Sequence, residues 1–148
     1  MKEFDKLLDK IIVYLGDLYK KAPNLPKNIR DFIVTVIPWF SLVVGILGVL
    51  GMIAALGVLT IFSPAVVLGG GVGTAAGLSL SVIIGLLESV ITLIAVPSLL
   101  KRKAMGWRLL FISQALGVVS TILTATLGGL IGAAIGFYIL YQIKLSYK

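Results

Sequence analysis

The chain has 148 residues, of which 59% are hydrophobic and only 13% charged, with a net charge of +7 and a mean hydropathy of +1.11. A soluble domain is about 45–50% apolar and 25% charged, so the apolar excess must sit in runs too long for a globular interior. The absence of Cys and His excludes disulfides, thiolate chemistry and zinc or haem sites built on those ligands, and it removes most nucleophile–base arrangements.

Residues 1–25 predict an amphipathic helix and a linker. Phe4, Leu7, Leu8, Ile11, Ile12, Leu15, Leu18 and Tyr19 recur at three- and four-residue spacing, which makes one apolar stripe. Lys2, Glu3, Asp5, Lys6, Asp9 and Lys10 lie mainly opposite. A signal peptide is not expected, because the charged part runs to Asp31 and no small-residue cleavage site follows. The stripe suits a helix lying on the membrane surface. Docking to a partner, or covering the protein's own cytoplasmic face, are the other readings. Pro23 and Pro26 end this helix, and Pro26 suits the first turn of the next.

Residues 26–148 predict a four-span membrane domain, with spans at about 39–62, 77–100, 107–125 and 128–143, each near the roughly 20 apolar residues that cross a bilayer. In the first span Gly45, Gly48, Met52 and Ala55 share a face, where small residues let another backbone approach. Residues 63–76 carry no charge and many turn formers. They are read as a loop, with a re-entrant segment as the alternative. In the second span Gly77, Ser81, Gly85, Glu88 and Thr92 lie along one face, expected to point inward, with Val82, Leu86, Val90 and Leu93 nearer lipid. The third span has a polar side of Ser113, Gln114, Gly117, Ser120, Thr121 and Thr124. In the fourth, Gly128, Gly132 and Gly136 form GxxxGxxxG, a mark of close helix contact. The short connection between spans three and four makes them an antiparallel hairpin.

Basic residues set the expected orientation. Lys20, Lys21, Lys27 and Arg30 precede the first span, and Lys101, Arg102, Lys103 and Arg108 lie between the second and third. Lys144 and Lys148 follow the fourth, and the other two connections have no Lys or Arg. The positive-inside rule then puts both termini in the cytoplasm. Trp39, Trp107, Tyr138, Tyr141 and Tyr147 fall at that same boundary, where interfacial anchors belong. The cluster at 101–103 is read first as a topology signal, with lipid-headgroup binding as the lesser reading. Basic residues that flank apolar runs, and do not interleave with aromatics, point away from nucleic acid.

Glu88 is the only acid after Asp31. A charged group at the centre of a span costs about 2.5–3.5 kcal/mol on insertion scales, which makes it a functional hypothesis by default. With no second carboxylate at its depth, two-acid hydrolysis and carboxylate-bridged metals are excluded. Glu88 is expected to be neutral and to donate a hydrogen bond to Gln114. The intramembrane polar site comprises Glu88, Gln114, Thr92, Ser81 and Thr121. It reads either as a proton or cation site or as a structural bond of about 0.6–2 kcal/mol.

Two stretches, GWRLLF at Gly106–Phe111 and IGAAIGFYILYQIKLSYK at Ile131–Lys148, resemble small uncharacterised four-span bacterial membrane proteins. The resemblance implies a four-span protein of the bacterial inner membrane and no particular activity. Small multidrug exporters also have four spans and one membrane carboxyl, but in their first span, whereas Glu88 is in the second. The expected fold is an all-α membrane protein, four transmembrane helices in a compact bundle preceded by the amphipathic helix. The expected role is structural, scaffolding or accessory. The alternative is an oligomeric small channel or transporter using Glu88. No enzyme activity, cofactor or metal is expected. The expected partners are the lipid bilayer and a homo-oligomer or larger membrane complex.

Overall fold

No residue between Phe32 and Leu87 is charged, and in the computed structural model that stretch is helical except at Gly71. The structure describes residues 2–21, 23–124 and 127–147. Ala125, the expected end of the third span, and Lys148 lie outside the described residues, as does the Phe4 side chain of the amphipathic stripe. A short helix α1, Lys2–Tyr19, precedes a helical run α2, Lys27–Leu100, which reverses at Gly71 into two arms, 27–70 (α2a) and 72–100 (α2b). Then follow α3, Ala104–Thr124, and α4, Leu127–Ile143, with a final 3₁₀ turn, Lys144–Ser146. Among the described residues four stretches are long and apolar enough to cross a membrane: Lys27–Gly73, Ala76–Leu100, Ala104–Thr124 and Leu127–Ser146. The protein is a small integral membrane protein, built as a helical bundle.

The loop expected at 63–76 is instead helix. A helix pairs each backbone N–H and C=O within its own segment, so none of them depends on water. Pro64 removes the N–H that would bond the Thr60 carbonyl, and the Ser63 hydroxyl donates to that carbonyl instead, at 3.3 Å. The reversal needs a single residue, Gly71, at φ 79° and ψ 167°, a conformation essentially reserved for glycine. The first span also starts earlier than expected. Ile29 and Arg30 donate their N–H groups to the Pro26 carbonyl, so the helix begins at Lys27 and runs straight through Pro38.

Close approaches across glycines set the helix register. Cβ atoms at Gly45 and Gly48 would meet Leu93 and Ser89, and one at Gly85 would meet Met52, so α2a and α2b pair antiparallel. Leu93, expected toward lipid, therefore packs inside this hairpin. The outward residues are Leu80, Ile83, Leu87, Val90 and Ile94. At Gly106 a Cβ would stand 2.7 Å from the Leu99 backbone nitrogen. The turn between α2b and α3 closes with Lys103 N–H on Ser98 O and Arg102 N–H on Leu99 O, both 2.9 Å. Arg102 holds φ 50° there, at the position where helix ends favour glycine.

The core gathers at the end that carries the basic residues. Ala95, Leu99, Val34, Phe111 and Ile143 are its most enclosed members. Trp107 stacks on Phe111 at 5.5 Å, and Phe111 meets Phe137 at 5.2 Å. Onto this end α1 docks with Leu8, Ile12, Leu15 and Tyr19. The Tyr141 hydroxyl donates to Ile12 O, and the Tyr19 hydroxyl donates to Ala134 O at 3.0 Å. Arg108 Nη2 donates to Asp9 Oδ1 at 3.2 Å. Leu7, Ile11 and Leu18 of the stripe remain exposed, and so does Tyr14 outside it. The amphipathic helix thus covers its own bundle and still offers an apolar edge.

At the opposite end the α2 hairpin outruns its neighbours. The pairs Gly48–Ser89 and Gly117–Glu88 set the register. Counting outward from them, the last described turn of α3 ends roughly 15–20 Å short of the hairpin tip, at 1.5 Å per residue. Nothing between 57 and 73 is buried, and Leu68 at the tip is 88% exposed.

Candidate functional site

Glu88 sits on α2b facing α3, where Gly117 leaves room for it. A Cβ at Gly117 would stand 2.9 Å from Oε1 and 3.2 Å from Oε2. One helix further on, Gln114 of α3 lies over Gly136 of α4, where a Cβ would be 2.8 Å from its Oε1. Two polar side chains thus each cross a helix interface onto a glycine of the next helix. Beneath them is a hydroxyl cluster. Thr92 Oγ1 donates to Glu88 O at 2.9 Å and lies 2.7 Å from Ser113 Oγ, which also reaches Glu88 O at 3.2 Å.

Glu88, Gln114, Thr92 and Ser113 share one cavity of about 320 Å³. Its apolar walls are residues of α2a, among them Phe32, Val36 and Phe40, and Ile139 of α4. Phe32 and Phe40 are largely exposed, so the cavity is a groove open sideways between α2a and α4. The expected Glu88–Gln114 hydrogen bond does not form among the described residues. The reason is the two glycines, which draw the side chains toward different helices. The arrangement can hold a hydrogen-bond donor or a cation between a carboxyl and an amide, in apolar surroundings where such a contact meets little competition from water.

The other predicted site residues separate. Ser81 and Thr121 turn their hydroxyls back onto Gly77 O and Gly117 O, each at 2.8 Å, and neither lines the groove. Gly45, Gly48, Gly85, Gly117 and Gly136 meet neighbours inside the chain, whereas Gly77, Gly128 and Gly132 have open space where a Cβ would be. Among the expected anchors, Trp39 is 62% exposed, but Trp107 is 4% exposed and its Nε1–H donates to Leu140 O at 2.7 Å. Tyr138 donates its hydroxyl to Pro23 O at 2.6 Å, and Tyr141 donates to Ile12 O. Their ring hydroxyls tie the N-terminal segment to α4. Lys101, Arg102 and Lys103 form the exposed α2b–α3 turn, and Arg108 spends part of its guanidinium on Asp9.

Ser113 belongs to the site, although the polar site expected from the sequence includes its neighbour Gln114 and places Ser113 only on the polar side of the third span. A usable signal was present. Thr92 and Ser113 are equidistant along the chain from the Arg102–Lys103 turn, and so are Glu88 and Gly117. A tight hairpin must bring such pairs together.

No protein-family model matches the chain, and no curated protein or solved structure does either.

Proposed function

We propose that the protein is a structural or accessory component of a bacterial inner membrane, with both termini in the cytoplasm, and that its work is association with other membrane chains, beginning with copies of itself. The carrying observation is the length of the α2 hairpin. Its first arm, 27–70, carries no charge from Phe32 onward, and that charge-free part is about 58 Å long at 1.5 Å per residue, against a hydrocarbon core of about 30 Å. Tilt absorbs part of such a mismatch, but the 21-residue α3 already matches the core at about 32 Å. The distal hairpin therefore carries Ile61, Leu68 and Val72 beyond the lipid that would cover them. A second copy supplies apolar cover there, and the open Gly128 and Gly132 of α4 offer a surface that another helix can approach closely.

The chain lacks Cys, so single introduced cysteines report cleanly. Leu68→Cys should give a disulfide-linked dimer on mild oxidation in native membranes, and native mass spectrometry from mild detergent should find a discrete oligomer. A strictly monomeric protein by both measurements ends this reading. Labelling of Arg102→Cys from the cytoplasmic side, and not from the outside, tests the orientation.

A second reading has its own observation. The Glu88 carboxyl and Gln114 amide share a groove and form no hydrogen bond with each other, which favours a proton or cation site of a small channel or carrier. Proteoliposome flux impaired by Glu88→Gln supports it, and flux untouched by that change removes it. An enzymatic role has the least support, since Glu88 is the lone acid in the apolar part of the chain and there is no His or Cys.

A further inference from the structure

Apart from the groove at Glu88, the basic end holds a cavity of about 420 Å³ between α1, the start of α3 and the C-terminal turn. Arg108, Lys144, Trp107, Tyr147 and Asp9 line it. We propose that this cavity binds an anionic phosphate group: the headgroup phosphate of an anionic phospholipid, or free phosphate arriving from the aqueous side.

Four observations meet there. Arg108 gives one N–H to Asp9 Oδ1 at 3.2 Å and keeps the rest of a five-donor fork suited to phosphate. Lys144 Nζ stands 5.3 Å above the Trp107 ring and 5.9 Å from Tyr141, and among the described residues no carboxylate pairs with it. Tyr147 is 6% exposed, and its hydroxyl is the one fully buried side-chain polar atom of the described residues that lacks a hydrogen-bond partner. Buried polar groups are almost always bonded, so an orphan hydroxyl on a residue that lines the cavity together with Arg108 and Lys144 indicates a missing acceptor. Burial pushes this phenol up while the Arg102 guanidinium opposes the rise, which places a third cation within electrostatic range. Finally, α3 begins at this cavity with Ala104, so its N-terminal dipole adds a favourable field for an anion.

Among the described residues Asp9 is the only carboxylate lining the cavity, and it shares Arg108 with any bound phosphate. The depth also fits. Four apolar stretches converge on this end, and lipid phosphates lie just outside the hydrocarbon that such stretches cross.

The test uses the full chain in mild detergent, with native mass spectrometry of lipid retention. Phosphatidylglycerol should be retained in preference to phosphatidylcholine. Arg108→Gln should lower retention by roughly tenfold or more, the loss expected for a charge-assisted bond. Tyr147→Phe removes only an unpartnered hydroxyl and should lower it roughly threefold to tenfold. Asp9→Asn breaks the same ion pair as Arg108→Gln but should raise retention, which separates loss of binding from loss of α1 docking. A calorimetric titration with inorganic phosphate distinguishes the sources: phosphate binding without lipid preference assigns the site to a water-borne ligand, and lipid preference with no phosphate binding assigns it to the headgroup. The proposal is overturned if neither probe binds, or if binding is unchanged by Arg108→Gln and Tyr147→Phe alike.

Discussion

The Glu88 carboxyl rests on the α-carbon of Gly117 so closely that a methyl group at 117 would stand 2.9 Å from Oε1. Gly117→Ala should therefore push the carboxyl out of its seat and destabilise the bundle by about 1–3 kcal/mol, the usual cost of overpacking. Adding Glu88→Ala should recover much of that loss, because the atoms in conflict are then gone. Thermal melting of both single variants and the double variant measures the coupling. Additive losses would mean that the two positions do not touch.

Gly106→Ala should be worse than Gly136→Ala. A methyl at 106 meets the backbone of Ser98 and Leu99 at 2.7–2.8 Å, whereas one at 136 meets the movable amide of Gln114 at 2.8–2.9 Å. Backbone in a closed turn cannot step aside, so the first substitution should cost about 3 kcal/mol, at the upper end for overpacking, and the second about 1. The rank order of melting temperatures in one detergent decides this.

The two tryptophans should behave differently when changed to phenylalanine. Trp107 loses a buried bond to Leu140 O at 2.7 Å and leaves that carbonyl without its indole donor, which should cost about 1–3 kcal/mol. Trp39 is mostly exposed and should leave the melting point nearly unchanged. Equal shifts would contradict the asymmetry.

Alkaline conditions should loosen the basic end through Tyr147. Burial raises this phenol above its ordinary value of 10.0, with the Arg102 charge acting the other way. The packed state then keeps a proton that the released segment gives up. Its contribution is fully present below about pH 10 and lost as the pH rises through the raised value. Melting curves at increasing pH should show a steeper decline for the natural chain than for Tyr147→Phe, and parallel declines would remove Tyr147 as the cause.

Much of this fold was legible in the amino acids. Charge-free runs longer than a globular core allows led to four membrane stretches, and prolines at 23 and 26 separated them from an amphipathic helix. Those features depend on chain-local chemistry: transfer of apolar groups, fixed proline geometry and periodic spacing. The stretch 63–76 misled because glycine and proline mark turns in water. A helix pairs its own backbone groups without help from water, so here the same residues stay helical and one glycine makes the turn.

The sequence by itself determined the class, the inward face of Gly85, Glu88 and Thr92, and the gathering of basic residues at one end. Tertiary structure alone decided that Trp107 is enclosed, that Glu88 and Gln114 diverge onto separate glycines, and that α2 outreaches α3. It also decided that the Tyr147 hydroxyl lacks a partner and that Tyr147, Arg108 and Lys144 line one cavity. Each of these is a distance between residues far apart in the chain. Helix register and crossing set such distances, through glycine contacts that no local pattern encodes.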